Sequence, residues 1–267
     1  MKKTIEQRRA RFHELHQSGT FVLPNPYDIG SARLLEALGF EALATTSAGH
    51  AGTLGRLDMK VSRDELLAHV AAMTPSVDLP FNVDSERCFA DDLAGVAETV
   101  AALAEVGAAG CSIEDWNPAT NAIDDFDVAV ARVRVAADAA TANGVLLTGR
   151  CENHLHGIND LDDTIRRLCA YRDAGAHAVY APGLVDLPSI ERVVTAVGVP
   201  VNVLLIPGGP TVAQLAKVGV RRVSLGSALS RIAHGAVVDA AQQLLEQGTV
   251  DATAMVDGAL LRKAFTD

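Results

Sequence analysis

Three short polar clusters gather residues that could do chemistry in this 267-residue chain: Asp84-Ser85-Glu86, Glu114-Asp115 and Arg150-Cys151-Glu152. Each stands just past a short apolar, β-branched run. Four or five carboxylates gathered on one rim repel each other strongly where water is scarce. A divalent cation removes that repulsion. Oxygen-only ligation by one or two carboxylates, completed by water and substrate, is Mg²⁺ or Mn²⁺ chemistry. For any one acid, a helix cap or a pairing with Arg87 or Arg150 is the simpler account. For three strand ends taken together, a metal accounts for more. Another polar cluster, Thr45-Thr46-Ser47-Ala48-Gly49-His50, follows a further apolar run. It makes His50 a candidate substrate contact or acid, the alternative being a hydrogen-bonded rim residue. Asn202 sits inside an apolar run, so its amide must find a partner there.

Eight apolar runs are expected to be strands: residues 20–23, 42–46, 81–83, 111–113, 145–148, 178–181, 201–205 and 222–225. Amphipathic stretches alternate with them at 32–38, 63–73, 93–106, 126–142, 161–174, 189–197 and 212–218. Many end in glycine where a helix C-cap belongs, as at Gly39, Gly107, Gly144, Gly175 and Gly219. Strands apolar on both faces and separated by helices form a parallel sheet. Eight such units fit a single α/β domain, a (β/α)₈ TIM barrel covering 1–267. A doubly wound open sheet is the competing fold. It advertises a glycine-rich loop after its first strand, whereas Pro24-Asn25-Pro26-Tyr27-Asp28 stands here. Residues 1–16 and 250–267 read as extra N- and C-terminal helices. In a barrel the catalytic groups sit at the C-terminal strand ends, which is where the acids fall.

The composition, 49% hydrophobic with a formal charge of −10, gives ample core and argues against nucleic acid or an anionic membrane as partner. No apolar run is long enough to span a membrane and the N-terminus has no secretory h-region, so a cytoplasmic protein is expected. The four cysteines form no C-x-x-C pair and no disulfide framework.

Ser47-Ala48-Gly49, Asp84-Ser85-Glu86, Ile113-Glu114-Asp115 and Arg150-x-Glu152 resemble the isocitrate lyase/phosphoenolpyruvate mutase superfamily. Val179-Tyr180-Ala181-Pro182-Gly183-Leu184 and Pro207-Gly208-Gly209-Pro210 are similar to its phosphonomutase-like branch. The resemblance implies a barrel that binds Mg²⁺ and a 2-oxo acid or its enolate. It puts the metal carboxylates on Asp84, Glu86 and Glu114, with a further acid at Asp58. It gives the substrate carboxylate to the amides of Ser47, Ala48 and Gly49, and the carboxylate or oxyanion to Arg150. It also implies a homotetramer in which a C-terminal helix crosses to a neighbour; 250–267 is amphipathic enough to be that helix.

The chain departs from the family in its loops. It lacks the lyases' Lys-Lys-Cys-Gly-His segment. In the mutases' lid, Trp116 and Ala119 stand where two lysines are usual, while Thr120 and Asn121 remain. The lid, 116–123, offers Asn121 or Thr120 to a departing group, and Asn202, inside its apolar run, is a candidate substrate contact. The expected activity is Mg-dependent C–C cleavage of a small 2-oxo or 2-hydroxy carboxylic acid through an enolate. Phosphonate P–C chemistry is the second reading. A phosphosugar barrel using Gly208-Gly209 and Gly226-Ser227 is another, and so is a non-catalytic binder of 2-oxo acids. A Schiff-base mechanism ranks low, because no lysine ends a strand. His154-x-His156 reads as loop with no third zinc ligand evident.

Overall fold

In the computed structural model, which describes residues 2–251 and 255–265, the chain alternates strand and helix from end to end. The strands are β1 (Phe21–Leu23), β2 (Leu43–Ala44), β3 (Phe81–Asp84), β4 (Gly110–Glu114), β5 (Trp116–Asn117), β6 (Ala122–Ile123), β7 (Leu146–Arg150), β8 (Ala178–Tyr180), β9 (Val201–Leu204) and β10 (Arg222–Ser224). The helices are α1 (Ile5–Leu15), α2 (Ile29–Ala37), α3 (Ser47–Thr53), α4 (Arg63–Met73), α5 (Leu93–Glu105), α6 (Phe126–Ala142), α7 (Leu161–Asp173), α8 (Leu187–Val197), α9 (Val212–Lys217), α10 (Ala228–Gln247) and α11 (Gly258–Ala264).

Eight strands form one parallel sheet in the order β1-β10-β9-β8-β7-β4-β3-β2. The Ala44 N–H donates to the Pro24 carbonyl at 3.0 Å across the remaining seam. Asn25 ties the same seam, donating to Thr45 O and accepting from the Leu225 and Gly226 amides. The result is a nearly closed TIM-type barrel, as the alternation predicts. All eight expected strands are present. β5 and β6 are a separate antiparallel ribbon, Trp116 paired with Ile123, in the segment expected to be an irregular lid.

Local signals explain the boundaries. Thr4, Asp28, Ser62 and Thr211 close capping boxes at α1, α2, α4 and α9, satisfying backbone donors that the first turn leaves open. At the other ends, Gly107 and Gly175 adopt φ of 95° and 104°, a conformation side-chain-bearing residues avoid. The barrel wall packs on its helices through a continuous core that includes Val83, Cys111, Ile113, Leu147, Leu168, Tyr171, Val179 and Val223.

α1 closes the N-terminal mouth of the barrel. Phe12 is fully buried and meets His16 and Phe21 edge-on. Arg9 donates to the carbonyls of Ala104, Ala108 and Asn143, beyond or at the C-termini of α5 and α6. A cation there is favoured by the helix dipoles.

The described part of 250–267, α11, packs on α2 of its own chain: Lys263 Nζ donates to Ala37 O at 2.6 Å. α10 stands with Ile232, Val237, Val238, Leu244 and Leu245 exposed and only Ser230 buried. Almost none of it is buried against its own barrel. Among the described residues, no helix is long and apolar enough to cross a membrane.

Candidate active site

Arg150 is the hub of the polar strand ends. Its Nη1 lies 2.6 Å from Asp84 Oδ1, its Nη2 3.0 Å from Glu114 Oε2 and its Nε 2.9 Å from Glu152 Oε1. The register makes this possible: Asp84 pairs Ser112, and Glu114 pairs Arg150, so three consecutive strand ends bring their side chains to one place. Arg150 lies 5.5 Å from the centroid of the Tyr180 ring.

One guanidinium cannot neutralise the carboxylates around it. Burial raises Glu114 and Glu152, and their acidic neighbours add to the shift, against the pull of Arg150. Glu86 is pushed up to about 8, first by burial and then by Asp84 and Asp58. Its backbone is held at φ 47°, and Cys88 and Phe89 are also left-handed, so the loop after β3 stores strain. The Glu86 carbonyl accepts from the Glu114 amide at 3.0 Å, which fixes that loop on β4.

The rim encloses a cavity of about 190 Å³. That is below the range of drug-sized pockets and suits a small metabolite. Asp84, Asp58, Arg150, Ser47, Ala48 and Asn202 line it. Glu86 and Glu114 lie behind the lining, and Gly49 is buried under it. The Ser47 amide donates to Asp84 Oδ2 at 3.1 Å, and the Gly49 amide to the capping Thr46 hydroxyl at 3.2 Å. Ala48 holds the second position of α3, where an amide has no intrahelical acceptor.

Two expected residues are placed elsewhere. His50 is buried and stacks on His69 with centroids 3.8 Å apart, outside the cavity lining. Asn121 occupies the turn of the β5–β6 ribbon at φ 53°, exposed and also outside the lining. The ribbon is fastened at its base: Trp116 stacks flat on His156, centroids 3.4 Å apart. His154 turns instead to Thr164 Oγ1 at 3.2 Å, so the two histidines do not converge as a zinc pair. Gly208 and Gly209 line a different cleft from Gly226 and Ser227, which separates the two halves of the phosphate cradle.

Sequence reasoning underused several residues. Asp115 turns away from the rim. It accepts from the Glu152 amide at 2.8 Å and from the Tyr171 hydroxyl at 2.6 Å, bracing the strand end that carries Glu152. Asn82, Ser112, Ser224 and Arg222 line the deeper cavity. Arg222 had a signal: a charged residue opening an otherwise apolar strand.

A TIM-type barrel with acids and an arginine on consecutive strand ends is the architecture of the isocitrate lyase/phosphoenolpyruvate mutase superfamily. The family model for phosphoenolpyruvate phosphomutase matches residues 12–245, and the chain belongs to that family. An oxaloacetate decarboxylase of Paraburkholderia xenovorans is 32% identical over 260 residues, covering 92% of this chain and 84% of the relative. A crystal structure from Burkholderia cenocepacia J2315, of a protein assigned only broadly as lyase or mutase, superposes with a TM-score of 0.94 at 46% identity, covering 98% and 97% of the two chains. A phosphonopyruvate hydrolase crystallised with oxalate and Mg²⁺ shares the fold at 20% identity, with a TM-score of 0.83 over 98% and 95% of the chains. Members of the superfamily are lyases and mutases.

Proposed function

We propose that the protein is a magnesium-dependent lyase that cleaves a C–C bond of a small 2-oxo or 2-hydroxy carboxylic acid and leaves an enolate. The observation that carries this reading is the Arg150 cluster: one arginine held by Asp84, Glu114 and Glu152 on the wall of a small cavity. The oxaloacetate decarboxylase relative and the oxalate- and Mg²⁺-bound hydrolase support a site for small oxo acids.

The donor set suits magnesium. Excess carboxylate charge and a Glu86 pushed up to about 8 support a cation at this rim. Among the described residues no three acids, histidines or cysteines converge into a closed cage. Magnesium keeps several waters and takes only one or two carboxylates, so it needs no cage. Asp84 would hold it directly, with Glu86, Glu114 and Asp58 holding its waters. When bound, the ion would supply positive charge beside the oxygen on which the enolate develops.

The chain's own groups do the rest. The Ala48 amide, with Ser47, orients the substrate carboxylate. Arg150 keeps two N–H groups beyond its three ion pairs and directs them at developing charge. Asp58, exposed at the cavity mouth, passes protons between solvent and the site. The ribbon of β5 and β6, none of which lines the cavity, is the lid proposed to close over it. It carries no lysine or arginine, so a departing phosphonate dianion would meet no cation there, which favours C–C over P–C cleavage. The uncovered apolar side of α10 is proposed to pack on a second copy within a homotetramer.

A panel of oxaloacetate, malate-type acids and phosphonopyruvate, assayed for release of pyruvate or glyoxylate with and without Mg²⁺, tests the reading. Turnover of an oxo or hydroxy acid, lost in Asp84→Asn by about 100-fold or more, is the expected result. Release from phosphonopyruvate alone would reassign the bond, and no magnesium uptake by calorimetry would remove the mechanism.

A further inference from the structure

The barrel interior holds a second arginine that the reaction above does not use. Arg222 opens β10 and is 3% exposed. Its Nε donates to Asn202 Oδ1 at 2.9 Å and its Nη2 to Thr148 Oγ1 at 3.0 Å. Its Nη1 lies 3.4 Å from His16 Nε2. His16 Nδ1 is 2.7 Å from the Phe12 carbonyl, so that nitrogen carries the proton and Nε2 is left to accept. All three partners are neutral. Among the described residues, no carboxylate forms an ion pair with Arg222. Burial lowers its pKa only to about 10, so it stays charged near neutrality. A buried charge without a counter-charge is costly, and a guanidinium has five donors, of which three are committed here.

The position of Arg222 gives the other two a use. Paired residues run across five strands in one row: Glu114, Arg150, Tyr180, Asn202, Arg222. Barrel strands tilt, so this row descends from the last residue of β4 to the first of β10. Arg150 and Arg222 thereby line opposite reaches of the same cavity, with Tyr180 and Asn202 between them. Asn202 also donates to Ser224 Oγ at 2.9 Å, which pins the amide that orients the guanidinium.

We propose that Arg222 is the specificity-determining residue for the inner end of the substrate, binding a second acidic group of an acid whose reacting end lies at Arg150 and Asp84. This rests on the reading of the site given under Proposed function. The inner group is an anion, carboxylate or phosphonate, and Asn202 is a positioning residue for the arginine that binds it.

Malate and lactate differ by one carboxylate and test this directly. With Mg²⁺ present, calorimetry on the wild-type protein should give malate about tenfold tighter binding than lactate or more. Arg222→Met should bring the two within about twofold while oxalate, which is short enough for the outer end alone, changes by less than about threefold. Arg222→Lys should fall between. A wild-type ratio near one overturns the proposal without any variant, and so does a ratio that survives in a folded Arg222→Met or, if that variant does not fold, is undiminished in Arg222→Lys. If oxalate binds but malate and lactate do so equally, only this inference fails. If none of the three binds with Mg²⁺, the reading of the site fails and takes this with it. Phosphonopyruvate in the same assay distinguishes the two kinds of inner group: tighter than malate assigns a phosphonate, weaker a carboxylate.

Discussion

Arg150 and Glu152 lie two residues apart at one strand end and meet through Nε and Oε1 at 2.9 Å, which turns the rest of the guanidinium across the barrel mouth toward Asp84 and Glu114. Glu152 is itself fixed through its backbone by buried Asp115. It therefore acts on the reaction through Arg150. Glu152→Gln is expected to lower kcat/KM by about 10- to 100-fold, the usual cost of removing an outer support, while magnesium affinity changes far less. Unchanged steady-state kinetics in Glu152→Gln would remove it from the positioning role.

The floor of the barrel is packed too closely to accept a methyl group. A Cβ on Gly110 would lie 2.5 Å from Phe12 Cε1 and 2.7 Å from Asn82 Oδ1. Gly110→Ala must push α1 outward or tilt Asn82, at about 1–3 kcal/mol. Phe12→Ala should cost about 3–5 kcal/mol by emptying the same place. Chemical denaturation measures both; a Gly110→Ala protein as stable as wild type would show that α1 yields freely.

His16 should give stability a pH dependence of known sign. Burial, with Arg222 beside it, lowers its pKa to about 3, against about 6.5 for an unperturbed histidine. The unfolded chain therefore binds the extra proton first. The His16 contribution is complete above about pH 6.5 and is lost as pH falls toward 3. Other groups titrate in this range, so the informative quantity is the difference from His16→Gln. Melting curves should show the wild type's advantage over that variant shrinking from pH 7.5 to pH 5. A constant difference would mean that His16 is not held neutral.

α10 carries an exposed apolar side of Val237, Val238, Leu244 and Leu245, with Leu245 87% and Val238 52% accessible. If a second copy covers it, Leu245→Glu together with Val238→Glu should shift sedimentation toward the monomer and leave the barrel's circular dichroism intact. A wild-type protein that sediments as a monomer at micromolar concentration would end the tetramer proposal.

Much of this was legible in the residues. Strand runs apolar on both faces, glycines at helix ends and acids just past the strands fix a parallel barrel with a polar mouth, because those signals are local. Asp84, Glu114 and Arg150 could be named from their places at strand ends. The sequence could not show that His50 turns to His69, since backbone direction after β2 depends on α3, a helix begun by a Thr46 cap inside what reads as a turn. Val237, Val238, Leu244 and Leu245 share one side of α10 by spacing, but only the tertiary structure shows that its own barrel leaves that side uncovered.

The chain alone determines the fold, the acidic rim and the family, all of which rest on residue type and spacing within a few positions. Tertiary structure decides which side chains share a cavity. Strand tilt and register carry Arg222, 72 residues beyond Arg150, into the same space, and fold Asn121 out of it. Such neighbours are set by the closure of the whole barrel, which no local pattern encodes.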